Sequence, residues 1–347
     1  MTTPSRQEIR EASQRALRQA ASQGGAQWVA YRVEVAWGRV RALCERQAPE
    51  RFFWERPNEE RTIAAFGVAH AIECEGGDRF VQSAARAREL FASVHVAGAP
   101  APESAGPLLV GGFGFADTPA EGALWSGFPA ARLVLPELTV SRSGDRAWCT
   151  AVCSVPFAGF AASGVPARPG EPVTSTDPVA AICETLRARL EAALSSGDGV
   201  AAPAARSEAV TADHRIVSEH PHSHYRSRVA AALREIHTGE LLKVVVARSV
   251  RVCHEPGFDV ARVTAALRAT YPSCTTFAVS RPGAAFLGAT PERLVRVEDG
   301  RVETAALAGS APRGRSPEED ARLGRELTLS KKEKAPVPQG QEARVGS

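Results

Sequence analysis

Lys243 is the one lysine among the first 330 residues, in a stretch that holds 37 arginines. Arginine keeps its proton in any protein environment, whereas a lysine taken out of water can give its proton up. A lone lysine in a chain that otherwise uses Arg for its cations is therefore a candidate base. It lies in the apolar run LLKVVVAR, where Leu241 and Val245 share its face of an extended chain. Burial of that run on both faces would disfavour the ammonium and poise Lys243 as a general base. The alternative is a strand-edge lysine reaching out to water.

Glu292 follows Thr290 and Pro291 in GATPERL, a pattern that predicts a tight turn presenting the carboxyl. A carboxyl kept protonated by a poorly solvated pocket can serve as a general acid. The plainer expectation is a solvated Glu, or one paired with Arg293. In LAGS (307–310), backbone N–H groups beside the Ser310 hydroxyl could hold a carboxylate, or form an ordinary turn. GGFGF (111–115) lacks the Gly-Lys-Ser/Thr ending of a phosphate loop and reads as a bent strand. His220, His222 and His224 alternate on one face if extended. No carboxylate or Cys at a supporting spacing turns them into a metal site, and metal ligands are assigned to no residue.

Several classes are excluded by composition. Basic minus acidic residues give 42 − 39 = +3, and no basic stripe interleaved with aromatics speaks for nucleic acid. No apolar run reaches the roughly 18–20 residues that span a bilayer, and the polar start lacks an apolar leader segment. The expectation is a cytoplasmic monomer with no nucleic-acid or membrane partner. Seven cysteines without metal-ligand spacing read as reduced thiols.

The elements that must position these residues follow from periodicity. Helices are expected over 5–22 (capped by Ser5), 78–94, 177–196, 222–238 and 259–270. Strands are expected in 28–44, at 52–57, as one run over 62–74, and in the bent stretch 107–117. Two more should surround the turn SRSGD within 131–156. A buried strand is expected at 241–252, followed by further strands from 275 to about 310. The small-residue stretch 197–206 reads as a linker. The whole is α+β, with large sheets packed between helices.

Taken together, these pieces resemble the chorismate-utilising enzymes, and within them the isochorismate synthases. The motifs that carry the likeness are Tyr225…Val229…Ile236…GE..KVVVARS, then FLGATPERL, then LAGSAPRG, with weaker support from LLVGGFGFAD and WSGFP. The fold implied is that of anthranilate synthase component I. The resemblance implies that Lys243 activates the water that attacks C2 of chorismate, and that Glu292 protonates the departing C4 hydroxyl. Gly309 and Ser310 match positions that hold a substrate carboxylate, and Mg²⁺ is implied on the substrate carboxylates. Relatives that add ammonia usually carry Gln at the position of Lys243, and the aminodeoxychorismate type has a nucleophilic Lys where Ala308 stands. Water is thus the expected nucleophile, with no amidotransferase subunit. The product would feed menaquinone or a catechol siderophore. Salicylate synthases share the Lys and remain an alternative, as does a catalytically dead remnant or binding protein.

The chain also departs from the family pattern. Ser330, Lys332 and Glu333 fit, but Pro336 falls where a Mg²⁺-binding Glu is expected, and KAPVPQGQEARVGS is unlike a helix. The resulting division is an N-terminal part of the fold at 1–205, a partial catalytic region at 206–333 and an aberrant, disordered tail at 334–347. Little or no Mg²⁺-dependent activity is expected of such a chain.

Overall fold

The computed structural model describes residues 6–98, 101–119, 122, 125, 127–155, 177–195, 214–255, 257–298, 300–304 and 312–329. The chain opens with α1 (Arg6–Gln23), β1 (Trp28–Val35) and a short helix α2 (Trp37–Val40) that runs into a 3-10 turn, Arg41–Glu45. β2 (Arg51–Arg56), β3 (Arg61–Phe66), β4 (His70–Cys74), α3 (Arg79–Ala92), β5 (Val94–Ala97) and β6 (Val110–Phe113) follow. Next come β7 (Ala131–Leu135), β8 (Leu138–Ser143), β9 (Arg146–Ser154) and α4 (Pro178–Ser195). After these stand β10 (Arg215–Ser218), α5 (His222–Thr238), β11 (Val250–Cys253), α6 (Val260–Thr270), β12 (Thr275–Arg281) and β13 (Ala284–Thr290). The last elements are β14 (Arg296–Glu298), β15 (Arg301–Glu303) and α7 (Pro317–Leu329). The architecture is α+β, as the sequence predicts.

Two compact units divide the chain, 1–289 and 290–347. In the first, an eight-stranded sheet runs β13-β12-β2-β3-β8-β9-β1-β5. β1 pairs antiparallel with β9 and parallel with β5. A three-stranded sheet runs β4-β7-β6, and β10 pairs with β11. The second unit carries the β14–β15 hairpin and α7.

The strand period of two explains the core. Val29 and Tyr31 of β1 face Ile9, Ala12 and Ala16 of α1 and Ile182, Leu186 and Leu190 of α4. Trp28 and Ala30 face the other way, into Ile72, Leu90 and Leu135. β1 is therefore covered on both faces, as its apolar sequence requires. Packing becomes sparse after α4: beyond Ala193, Ala278 is the one buried apolar residue among the described residues.

Several expectations change. Residues 37–45 are helical, because Val40, Leu43 and Cys44 bury at helix spacing. The run 62–74 is two strands in different sheets, broken at Gly67, whose φ is +72°. Within 131–156 three strands form, with Pro136 separating β7 from β8, while the expected turn at Gly144 joins β8 to β9. Only the first three residues of GGFGF lie in a strand, the end of β6, where a Cβ on Gly111 would run into the Arg132 carbonyl oxygen on the adjoining strand; Gly114 and Phe115 lie beyond it. Ser5, the linker 197–206 and the tail 334–347 lie outside the described residues.

Candidate active site

α5 spans the residues its sequence predicts. Its Ala- and Arg-rich interior suits a helix, and Gly239, at φ +86°, ends it in the left-handed conformation that a Cβ disfavours. The Gly239 N–H donates to the Ile236 carbonyl and the Leu241 N–H to the Glu235 carbonyl, at 3.2 and 3.1 Å. This closed helix end delivers the chain to Lys243.

The segment that carries Lys243 is not the buried strand expected over 241–252. Residues 241–249 form no regular element, and strand pairing begins only at Val250. Lys243 is exposed, and its neighbours Leu242 and Val245 are 89% and 93% exposed. Among the described residues no strand or helix face covers this run, so the expected burial of Lys243 is not found. An apolar sequence records what the segment would bury, not whether a partner is present to bury it.

Glu292 lies in the second unit, just past β13. Its N–H donates to the Thr290 hydroxyl at 3.1 Å, which is the turn that Thr290 and Pro291 predict. The carboxyl is exposed. Arg293 does not pair with it: its guanidinium lies 3.8 Å from Glu303 of β15. The Thr304 hydroxyl donates to the Leu294 carbonyl at 2.9 Å, which ties the turn to the hairpin that follows. Gly309 and Ser310 lie outside the described residues, as do Ser330, Lys332, Glu333 and Pro336.

The three alternating histidines are not on one extended face. His222 and His224 open α5, while His220 precedes it, with its ring 4.5 Å from that of His224. Among the described residues no group of three His, Cys, Asp or Glu side chains is arranged to hold a metal ion. All seven cysteines are unpaired, and burial pushes the Cys149 and Cys153 thiols up to about 12. No described helix is long and apolar enough to cross a membrane. Arg248 belongs to the KVVVARS motif, whereas nothing in the sequence marks Arg228 among the many arginines of this chain; both stand near the histidines.

The family model for chorismate binding enzyme matches residues 49–335, a span that includes Lys243, Glu292, Gly309 and Ser310. The chain belongs to the chorismate binding enzymes. It is 32% identical over 295 residues to the salicylate biosynthesis isochorismate synthase of Pseudomonas aeruginosa, covering 84% of this chain and 55% of that protein. Isochorismate synthase MenF of Bacillus subtilis is 24% identical over 297 residues, covering 81% of this chain and 55% of that one. The chain thus spans about half the length of the curated relatives it matches. Its fold is similar to that of MenF from Escherichia coli, with a TM-score of 0.56 at 20% identity over 94% of this chain and 65% of that one.

Proposed function

We propose that this chain is an isochorismate synthase-type isomerase acting on chorismate. The observation that carries the reading is the family match running continuously through the Lys243 and Glu292 motifs, in a chain whose Lys243 is its one lysine before residue 331. Lys243 takes a proton from water as that water attacks C2 of the ring. The double bonds shift, and the C4 hydroxyl leaves with a proton from Glu292. Proton transfer by positioned side chains of this kind contributes typically about 10²–10⁴-fold each. Gly309 and Ser310 hold a substrate carboxylate.

Mg²⁺ on the substrate carboxylates belongs to the same reading, where it would neutralise a doubly anionic substrate. The described residues do not fit a metal ion: no three of their carboxylates, imidazoles or thiols are grouped to ligate one. No step above is therefore routed through it. The domain division 1–205, 206–333 and 334–347 is proposed with the function, as are a monomeric state and a cytoplasmic location.

Turnover by the 347-residue chain alone is expected to be low. Both proton-transfer residues stand in solvent, whereas acid–base tuning depends on a shielded site. The test is chromatographic product analysis of chorismate incubated with the purified chain and Mg²⁺. Slow formation of isochorismate supports the proposal. Anthranilate formed with ammonia, or no chorismate binding at all, refutes it.

A further inference from the structure

At the start of α5 the described residues line an open pocket of about 330 Å³, among them His220, His222, Tyr225, Arg228, Arg248 and Ser249, all of them exposed. Its charge is one-sided. No Asp or Glu lines it, and none stands in the first turn of α5. The neighbouring carboxylate, Glu219, is already engaged: it accepts from the Ser249 hydroxyl and lies 3.3 Å from the Arg251 guanidinium. Those bonds hold its pKa below the ordinary carboxylate range. It is not a counter-ion for the pocket. Arg228 and Arg248 have no ion-pair partner among the described residues.

Two arginines that line one concavity from different segments offer guanidiniums for forked, charge-assisted hydrogen bonds to a planar or tetrahedral oxyanion. The Tyr225 hydroxyl and the imidazoles add donors, and the Tyr225 ring and Pro221 supply an apolar wall. The arginines repel a metal cation. We propose that this pocket binds a small, multiply charged oxyanion, carried as phosphate or as paired carboxylates, with Arg228 and Arg248 as its principal ligands. Neither Lys243 nor Glu292 is among its lining residues, and the proposal does not depend on the chorismate reading.

The test is titration calorimetry on the full chain without chorismate, with inorganic phosphate in one arm and succinate in the other, at constant ionic strength. Saturable binding of either is expected, and the tighter arm identifies the ligand chemistry. Removing both forks in Arg228→Gln/Arg248→Gln should weaken it by about tenfold or more, while Arg187→Gln on α4 should leave it unchanged. A second readout uses the unmutated chain: the bound anion should shield His220, His222 and His224 from diethyl pyrocarbonate, read by peptide mass spectrometry, with exposed His237 as the reference. No saturation with either anion, unchanged affinity in the double variant, or equal modification of all four histidines overturns the proposal.

Discussion

The Arg268 guanidinium of α6 stands 3.3 Å from the Glu55 carboxylate of β2 and 3.2 Å from Glu45. This contact, spanning more than 200 residues of sequence, docks α6 beside a strand of the first half, and β12 continues the same joint by pairing with β2. The Glu55 side chain is 10% exposed and the Arg268 side chain 25%, so the pair is largely out of water. Removing one partner of such a pair strands the other. Arg268→Ala should therefore cost about 3 kcal/mol in chemical denaturation. A loss within the range of an exposed surface pair would show that the two halves are held together by strand pairing alone.

Burial makes three of the cysteines poor nucleophiles. The Cys44, Cys149 and Cys153 thiols are each pushed up to about 12 by desolvation. At about pH 8 such a thiol is ionised only about one part in 10⁴, and the thiolate is the reacting species. Native alkylation should label the half-buried Cys253 and Cys274 first and leave these three until the chain unfolds. Labelling all seven at one rate would mean that the β1–β9 core opens readily.

Two histidines set a pH dependence. The pKa of His70 is lowered from its ordinary 6.5 by burial, and that of His95 by burial and then by Arg15. The unfolded chain thus binds these protons more readily than the folded one. The folded state keeps its full stability above about pH 6.5 and loses part of it as pH falls below that value. Denaturation midpoints should drop between about pH 7.5 and 5.5, ahead of the carboxylate range. His70→Gln combined with His95→Gln should flatten that slope. An unchanged slope in the double variant would assign the effect to other groups.

Much of this was legible in the sequence, and the reasons differ by element. α5 is legible at both ends because Pro221 and Gly239 act locally. So is the Thr290–Glu292 turn, whose hydrogen bond spans two residues. Residues 37–45 mislead because the apolar positions 40, 43 and 44 fit a helix only once their common burial is seen. The run 241–249 misleads more deeply. Its coverage depends on groups far away in the chain, and hydrophobicity states a need for them without supplying them.

That exposure has a measurable consequence. β9 is hydrogen-bonded on both sides, to β1 and β8, and is buried along most of its length. α5 buries no residue, and 241–249 has no ladder at all. Local stability follows buried contacts and paired backbone. Hydrogen exchange should be slowest in Arg146–Ser154 and fast through α5 to Ser249. Comparable protection of Lys243–Arg248 would mean that the segment is covered in solution.

Lys243→Arg separates a base from a simple cation. Arg keeps the charge and the hydrogen-bonding reach but cannot give up its proton. If Lys243 activates water as proposed, any turnover of chorismate should fall by ~10²-fold or more. Chorismate binding should change much less, because Gly309 and Ser310, the groups proposed to hold a carboxylate, are untouched. Glu292→Gln should behave in the same way: the amide keeps the shape of the acid but offers the departing hydroxyl no acidic proton. Both variants are read by turnover at high enzyme loading and by chorismate affinity. Neither side chain carries packing, since both are exposed, so a loss of rate cannot be put down to misfolding. Turnover of Lys243→Arg within a few-fold of the parent would make Lys243 a binding cation, and the inference from a single lysine among arginines would fail.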